Sequence, residues 1–205
     1  HTTQSLETDR AFDELEMWIR EIHLIASRNY GEVRLHVFSD HGMTDTKETS
    51  DMKVRFENEL GLAYGKDYAA VWDSTMVRFW FLAPGVRGRV AAWLASQPEG
   101  RIVGDEELKA WNCYFSDGRF GELFYLLKPG SVFAPSSMGL NTVPAMHGFD
   151  PSHPTSKACW LTSHPTRVPR RIEEIFLVMK EAGERVASEC GTRNAERGME
   201  NETTW

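Results

Sequence analysis

Two short strings of the sequence combine residue types that could bind a metal ion. The first, Ser-Asp-His-Gly-Met at positions 39–43, follows an alternating apolar segment at 33–38 that we predict to be a strand. Asp40 and His41 offer a carboxylate and an imidazole, a zinc-type ligand pair, whereas Mg²⁺ or Ca²⁺ would favour all-oxygen donors. Gly42 permits the turn that adjacent side chains need to reach one ion. The residues alone leave open a polar strand end, with Asp40 capping a turn and His41 solvated.

The second string, Met-His-Gly-Phe-Asp-Pro at positions 146–151, lies near the end of a stretch at 129–154 that is rich in Gly, Pro and Ser. This stretch is too long for a plain connector, and long ordered loops often carry function. His147 again stands beside a glycine, which lets the backbone pack close to a ligated ion. Asp150 is placed to orient a neighbouring group. A surface histidine in a Gly/Pro-rich turn is the open alternative for His147.

Taken together, the two strings resemble the type I phosphodiesterase/nucleotide pyrophosphatase family of the alkaline phosphatase superfamily. His147 follows His41 by 106 residues, and the intervening Asp-Ser-Thr-Met-Val-Arg-Phe-Trp-Phe at 73–81 resembles the family at the equivalent place. The resemblance extends from about Asp9 to Thr162. Sulfatases, cofactor-independent phosphoglycerate mutases and glycolipid phosphoethanolamine transferases share the Asp-His-Gly core. The later His-Gly-Phe-Asp-Pro favours the phosphodiesterase branch over them.

The resemblance implies a site for two divalent metal ions, expected to be Zn²⁺. Asp40 and His41 correspond to ligands of one ion, and His147 corresponds to a ligand of the other. The family's remaining ligand pair lies in an Asp-x-x-Gly-His string just before the first helix, so His1 would join His147 at the same ion. The alternative is that His1 is an arbitrary first residue, and the Gly-Pro that usually follows this histidine in the family is absent here.

The resemblance also implies hydrolysis of phosphodiester or nucleotide pyrophosphate bonds through a covalent phospho-enzyme intermediate. Two metal ions about 4 Å apart can clamp the attacking and leaving oxygens of an in-line displacement. The family's nucleophile, a Thr or Ser in its N-terminal part, has no counterpart here, so we expect no catalytic nucleophile in this chain. Two alternatives stay open. One is a non-catalytic metal- or ligand-binding module with a degenerate site, and the other is a sulfatase or phosphonate hydrolase of the same superfamily.

The implied fold is α/β: an alkaline-phosphatase-like sandwich with helices on both faces of a mostly parallel sheet, incomplete at the N-terminus, plus a small inserted β-rich region. We expect residues 1–190 to form the C-terminal part of such a hydrolase domain and 191–205 to form a polar tail. Residue patterns predict helices at 8–29, 52–60, 86–97, 105–111 and 170–190 and strands at 33–38, 68–72, 76–82, 101–103, 123–127 and 158–162. Thr8 or Asp9 is the predicted cap of the first helix. Its predicted core-facing stripe consists of Phe12, Leu15, Ile19, Ile22 and Ala26.

Composition limits the partners of the chain. Its 205 residues include 23 Lys+Arg and 30 Asp+Glu, a net charge of −7, and 41% of them are hydrophobic. These values suit a globular domain with a substantial core, and an acidic chain is a poor nucleic-acid coat. No apolar run reaches the roughly 20 residues of a membrane-spanning helix. We expect a small-molecule phosphodiester or nucleotide substrate, while the oligomeric state and the compartment stay open.

The cysteine, aromatic and remaining histidine residues indicate less about function. Cys113, Cys159 and Cys190 lack metal-site spacing, so buried free thiols are expected, with one disulfide plus one free thiol as the alternative. His36 is expected to be a partly buried residue of the first strand. A group of aromatic residues could stack a nucleobase, but their strand spacing favours a place in the core: Trp72, Phe79, Trp80, Phe81 and Tyr125.

Overall fold

The computed structural model describes the backbone of residues 1–201 and the side chains of residues 1–187. Its elements are, in chain order, α1 Leu6–Tyr30, β1 His36–Phe38, β2 Thr44–Asp45, β3 Glu48–Ser50, α2 Met52–Leu60, β4 Tyr68–Trp72, β5 Met76–Phe81, α3 Val86–Ala95, β6 Gly100–Val103, α4 Asp105–Ala110, β7 Leu123–Leu127, β8 Ser131–Phe133, β9 Ala145–Met146, a 3₁₀ turn Pro154–Ser156, β10 Trp160–Thr162 and α5 Glu173–Asn201. Among the described helices, none combines the length and apolarity needed to cross a bilayer.

The described residues form two compact units. The first combines residues 1–20 with 41–158, and the second combines 21–40 with 159–201. In the second unit β1 and β10 pair antiparallel, with Phe38 opposite Trp160. The first unit contains the other strands.

A four-stranded antiparallel sheet in the first unit, in the order β4-β5-β7-β6, is the main scaffold. Alternate residues of its strands face helices α2 and α3, as the period-two geometry of a strand requires. The resulting core consists of Met52, Phe56, Tyr68, Trp72, Val77, Phe79, Val86, Val90, Leu94, Leu123, Tyr125, Leu127 and Phe133. Each large apolar side chain buried in this way contributes about 1.5–3 kcal/mol relative to exposure, so this core stabilises the platform on which the loops lie. Trp72, Phe79 and Tyr125 are thereby confirmed as core residues.

The turn at 73–75 joins β4 to β5 and is buried although it is polar. Ser74 is 8% exposed and Thr75 is 5% exposed. The Ser74 carbonyl accepts the backbone N–H of Phe133 at 2.8 Å, and the Thr75 carbonyl accepts that of Leu127 at 2.9 Å. Because these backbone groups are bonded to the segments of β7 and β8, the turn can be buried without leaving them unsatisfied.

Two short ladders hold the segments that carry the histidine strings. Strand β2 pairs antiparallel with β9, which sets Thr44 opposite Met146. Strand β3 pairs parallel with β8. The first ladder is extended by the backbone N–H of Thr46, which donates to the carbonyl of Pro144 at 2.9 Å. The long stretch at 129–154 is therefore ordered by backbone pairing rather than being a plain connector.

Most predicted elements are confirmed, and the differences lie at their ends. Strands β4 and β7 and helix α2 have the predicted bounds, and β4 and β5 form the predicted hairpin. Strand β1 is shorter than predicted. Helix α5 continues past 190 to Asn201, because the glycines at 191 and 198 each cost only about 1 kcal/mol inside a helix. Residues 202–205 lie outside the described residues.

The predicted mostly parallel sheet is not confirmed. Among the strands that the structure describes, only β3 and β8 form a parallel ladder. Alternating apolar residues fit either strand direction, so the pattern in the sequence does not determine direction. Short connections do determine it, because a tight turn such as 73–75 can only join antiparallel strands.

Helix α1 forms as predicted, but its cap and the burial of its stripe differ. It begins at Leu6, and Ser5 rather than Thr8 or Asp9 precedes it, with Ser5 Oγ accepting the N–H of Thr8 at 3.2 Å. The core-facing prediction for the stripe is wrong for the described structure, since no residue of α1 is buried and Phe12 is 65% exposed. Periodicity identifies an apolar face but not what covers it.

The buried ring of Phe79 and the exposed ring of Phe12 predict a clear contrast in how much each contributes to stability. Phe79→Ala should lower the free energy of unfolding by about 3–5 kcal/mol, because the ring is fully buried and its loss leaves a cavity. The matched change Phe12→Ala, on an exposed helix face, should change it by about 0.5 kcal/mol or less. Urea denaturation followed by circular dichroism measures both. Equal losses in the two variants would contradict the described core.

Candidate functional site

The structure brings His41 and His147 together although they are 106 residues apart in sequence. Their ring centroids are 3.7 Å apart and the ring planes differ by 16°, so the imidazoles are stacked. The ladder between β2 and β9 explains this proximity, because His147 directly follows β9 and His41 lies three residues before Thr44. The two strings predicted to act together therefore share one place in the first unit.

The backbone around His41 holds its ring in a defined state. Its Nδ1 lies 2.8 Å from the carbonyl oxygen of Gly42, and because a carbonyl can only accept, Nδ1 carries the proton and donates. The lone pair of the neutral ring is therefore on Nε2, the arrangement usual for a histidine that ligates a metal. Gly42 is needed here because a Cβ atom would collide with the carbonyl oxygen of Thr155, and its N–H donates to the carbonyl of Ser156 at 3.1 Å.

A buried hydroxyl positions His147, and the sequence analysis missed its role. Thr75 Oγ1 donates to the carbonyl oxygen of Gly148 at 2.8 Å and lies 3.4 Å from that of His147. Gly148 has φ of +88°, a conformation that favours glycine. The signal in the sequence was the pair of polar residues, Ser74 and Thr75, in an otherwise apolar hairpin. A buried hydroxyl needs a partner, and here the partner is the backbone of the second string.

Asp150 fixes the loop that follows His147. Its Oδ1 accepts from the backbone N–H and the hydroxyl of Ser152, at 2.9 and 2.7 Å, and its Oδ2 accepts from Arg101 at 2.7 Å. Arg101, on β6, also binds Glu107 on α4 at 2.8 Å. Asp150 therefore links the loop to the four-stranded sheet, and its predicted role in orienting a metal-binding group stays a prediction.

These contacts shift the acid–base properties of the linked groups. The Ser152 hydroxyl, assisted by Arg101, lowers the pKa of Asp150 below its ordinary value. The hydrogen bond from Arg101 likewise lowers the pKa of Glu107, and the two carboxylates raise the pKa of Arg101. The three groups therefore remain charged at neutral pH and hold the loop to the sheet.

His1 is not brought to the stacked pair. Its Nδ1 lies 3.6 Å from a carboxylate oxygen of Glu7, and its side chain is 69% exposed. Two residues later, the N–H of Thr3 donates to Asp45 on β2 at 2.6 Å. The N-terminal segment is thus bonded to the strand that pairs with β9, but the metal role of His1 stays a prediction.

Asp40 directly precedes His41 in the chain and is the last residue of the 21–40 segment of the second unit. Its neighbour Ser39 exchanges hydrogen bonds with Cys159 in that unit, through the backbone N–H of Ser39 at 3.2 Å and its hydroxyl at 2.9 Å. The assignment of Asp40 as a metal ligand is untested and stays a prediction, as do those of His41 and His147.

The donors present match only part of a zinc site. Imidazole nitrogens are typical zinc ligands, and a catalytic zinc takes three protein ligands. Within residues 1–187, whose side chains the structure describes, no group of three or more His, Cys, Asp or Glu is placed to hold one ion. The His41–His147 pair therefore has the right chemistry but does not complete a zinc site with these residues.

Other candidate residues lie elsewhere. His36 is half-buried on β1 as expected, in an aromatic cluster with Trp160 and His164. Burial, with the neighbouring His164 as a smaller cause, lowers the pKa of His36. Cys113 and Cys159 are free thiols, but they are exposed rather than buried as predicted, because both occupy surface segments outside the core. The side chain of Cys190 lies outside the described residues.

Comparison with solved structures identifies the fold. No protein-family model and no curated protein sequence matches the chain significantly. The structure is similar to human ectonucleotide pyrophosphatase/phosphodiesterase 5, with a TM-score of 0.63 and 14% identity over 80% of this chain and 42% of that one. It is also similar to an inactive murine form of that protein in complex with AMP, with a TM-score of 0.64 and 17% identity over the same shares of the two chains.

A third similar structure is phosphonoacetate hydrolase from Sinorhizobium meliloti in complex with phosphonoacetate, with a TM-score of 0.50 and 13% identity over 72% of this chain and 41% of that one. The resemblance noted in the sequence is therefore confirmed at the level of the fold. The chain spans about two fifths of the length of each.

The contact between Thr75 and Gly148 predicts a structural effect at the histidine pair. Thr75→Val removes the hydroxyl, so the second string should lose its anchor, stability should fall by about 1 kcal/mol, and the ring signals of both His41 and His147 should shift in NMR spectra. Thr75→Ser keeps the donor and should leave these signals near their original positions. Unchanged histidine signals in Thr75→Val would show that the hydroxyl does not position His147.

The lowered pKa of Asp150 predicts a pH-dependent contribution to stability. A carboxyl whose pKa is lower in the folded state stabilises the fold at pH values above its ordinary value of 3.8, and this contribution disappears as pH falls through the folded-state value. Asp150→Asn should therefore lower the melting temperature at pH 7 more than at pH 2.5. The control Asp13→Asn, on the exposed surface of α1, should change the melting temperature little. An equal loss in melting temperature at both pH values would contradict a stabilising role for the charge of Asp150.

Proposed function

We propose that this chain supplies part of a two-metal site that hydrolyses phosphodiester or nucleotide pyrophosphate bonds. The observation that supports this proposal most is the stacked pair of His41 and His147. The two ring centroids are 3.7 Å apart, so imidazoles from both strings are available at one place, as two neighbouring ions would require. Nearly parallel rings at this spacing can offer donors to two neighbouring ions.

In this proposal each histidine serves a different ion. Asp40 and His41 belong to one ion, and His147 belongs to the other, with His1 as a further ligand of the second ion. The tautomer of His41 favours Nε2 as its donor, since Nδ1 donates to Gly42. Thr75 acts as a positioning residue, because it holds the backbone beside His147. Asp150 keeps the loop after His147 attached to β6 through Arg101.

The proposed substrate class is supported by the descriptions of the similar proteins. The similar human and murine proteins are described as a nucleotide pyrophosphatase/phosphodiesterase, and one of them is in complex with AMP. We infer a phosphodiester or a nucleotide as the substrate. The covalent phospho-enzyme intermediate of the resembling family requires a Thr or Ser nucleophile, and we propose that this nucleophile is not among these 205 residues. Thr44, beside the histidine strings, instead contacts the hydroxyl of Thr155.

A non-catalytic binding module is the second candidate, and one observation favours it. The described side chains offer no metal-binding group of three or more His, Cys, Asp or Glu. A module of this kind would hold one ion or none, whereas the enzyme requires two. The number of zinc ions bound by the full-length protein therefore separates the two candidates.

Zinc content is expected to depend on both stacked histidines. In the full-length protein, His41→Ala and His147→Ala should each lose about one of two zinc equivalents, and hydrolysis of bis(p-nitrophenyl) phosphate should fall at least 100-fold. His23→Ala, on helix α1, is the matched control and should retain both ions and activity. Metal content is measured by inductively coupled plasma mass spectrometry on dialysed protein. Two full zinc equivalents in both site variants would contradict the ligand assignment.

The isolated 205-residue chain provides a separate test of the nucleophile. It should not hydrolyse the same phosphodiester, because the proposed nucleophile lies outside it. Robust turnover that is lost in Thr44→Ala or Ser39→Ala would place the nucleophile inside this chain and contradict that part of the proposal.

A further inference from the structure

A cavity of about 400 Å³ lies in the first unit beside the loop at 111–122. Its walls come from β5, α3, α4 and this loop. Trp80, one of its lining residues, is five residues along the chain from Thr75, about 16 Å at the spacing of a strand. The cavity is therefore at the opposite end of β5 from the turn that positions His147. Its volume is within the range of small-molecule sites.

Five aromatic side chains line a cavity whose wall is otherwise mainly polar, and several of these rings are held in place. Trp80 Nε1 donates to the carbonyl oxygen of Gly118 at 2.8 Å, which fixes the indole against the loop. The rings of Phe115 and Phe120 are 4.5 Å apart at 63°, so they form an edge-to-face corner. Both phenylalanines are nearly half exposed, at 46% each, although they line a cavity rather than a flat surface.

One aromatic ring at the edge of the cavity already contacts a cation. Lys109 Nζ lies 5.1 Å from the ring centroid of Tyr114, a lining residue. Aromatic faces attract ammonium groups within about 6 Å through their negative electrostatic potential. The same interaction is available to a ligand cation on the other rings of the cavity.

Charged groups in the wall favour a cation over an anion. Three carboxylates, Asp105, Asp117 and Glu122, line the cavity together with one guanidinium, Arg87. Asp117 is paired with Arg119, whose Nε donates to it at 2.6 Å. Lys109, at the edge of the cavity, is paired with Glu106 at 2.7 Å. With both ion pairs and Arg87 counted, Asp105 and Glu122 leave the wall with a net negative charge, which repels an anionic ligand.

We propose that this cavity binds a small organic ammonium ion, with the aromatic corner of Phe115 and Phe120 around its apolar part and Asp105 and Glu122 near its charge. This site is separate from the proposed hydrolytic function and does not depend on it. Arg87 opposes a cation in the cavity, so it limits the affinity and gives the proposal an independent test.

Benzylammonium is a suitable probe, and benzyl alcohol is its neutral counterpart of similar shape. Isothermal titration calorimetry on the full-length protein should show saturable binding of benzylammonium at least tenfold tighter than that of benzyl alcohol. Bound benzylammonium should also protect Cys113, which lines the cavity, from iodoacetamide. Cys159, an exposed thiol of the second unit, serves as the internal reference in peptide mass spectrometry and should not be protected.

Charge variants test the electrostatic part of the proposal in both directions. Asp105→Asn should weaken benzylammonium binding at least fivefold, and Arg87→Gln should strengthen it several-fold. Glu14→Gln, an equal change of charge on the exposed face of α1, should leave the affinity unchanged, and circular dichroism should show all three variants folded. The proposal would be overturned by equal binding of the two probes, by binding that does not protect Cys113, or by Asp105→Asn and Glu14→Gln having the same effect.

Discussion

The two-residue ladder between β2 and β9 is the constraint on which the candidate site depends. It sets Thr44 opposite Met146 and thereby brings His41 and His147, which are 106 residues apart in sequence, into ring contact. A ladder of two residues has too few hydrogen bonds to be stable alone. Contacts on both sides of the ladder supply the missing stabilisation, and two of them come from the four-stranded sheet.

Three kinds of contact provide that support. The buried hydroxyl of Thr75 holds the backbone after β9. The ion pair between Asp150 and Arg101 attaches the following loop to β6. Gly42 lets the backbone before β2 lie against the turn at 154–156. The apolar core packs beneath the sheet and holds the turn at 73–75 and strand β6 in place. The loops that are bonded to this turn and to β6 are positioned by them. The ammonium-binding cavity uses the other end of the same sheet.

The sequence predicted the element types well because they depend on local patterns. The hairpin of β4 and β5 and strand β7 follow from alternating apolar residues, and the pairing of the two strings followed from their resemblance to a family. The direction of the remaining strands, the exposed stripe of α1 and the partner of Thr75 could not be predicted. Each of these depends on contacts between residues distant in sequence, which a local pattern does not encode.

The site itself was predicted in part. The proximity of His41 and His147 was expected, and the structure brings the rings together, whereas the positions of Thr75 and Arg101 around them came only from the fold. The most direct test of the central claim is anomalous diffraction at the zinc edge from crystals of the full-length protein grown with zinc. We expect two peaks about 4 Å apart, one about 2.0–2.1 Å from a ring nitrogen of His41 and the other at that distance from a ring nitrogen of His147. Zinc peaks that neither histidine contacts, or the absence of any zinc peak at this pair, would contradict the assignment of His41 and His147 as ligands.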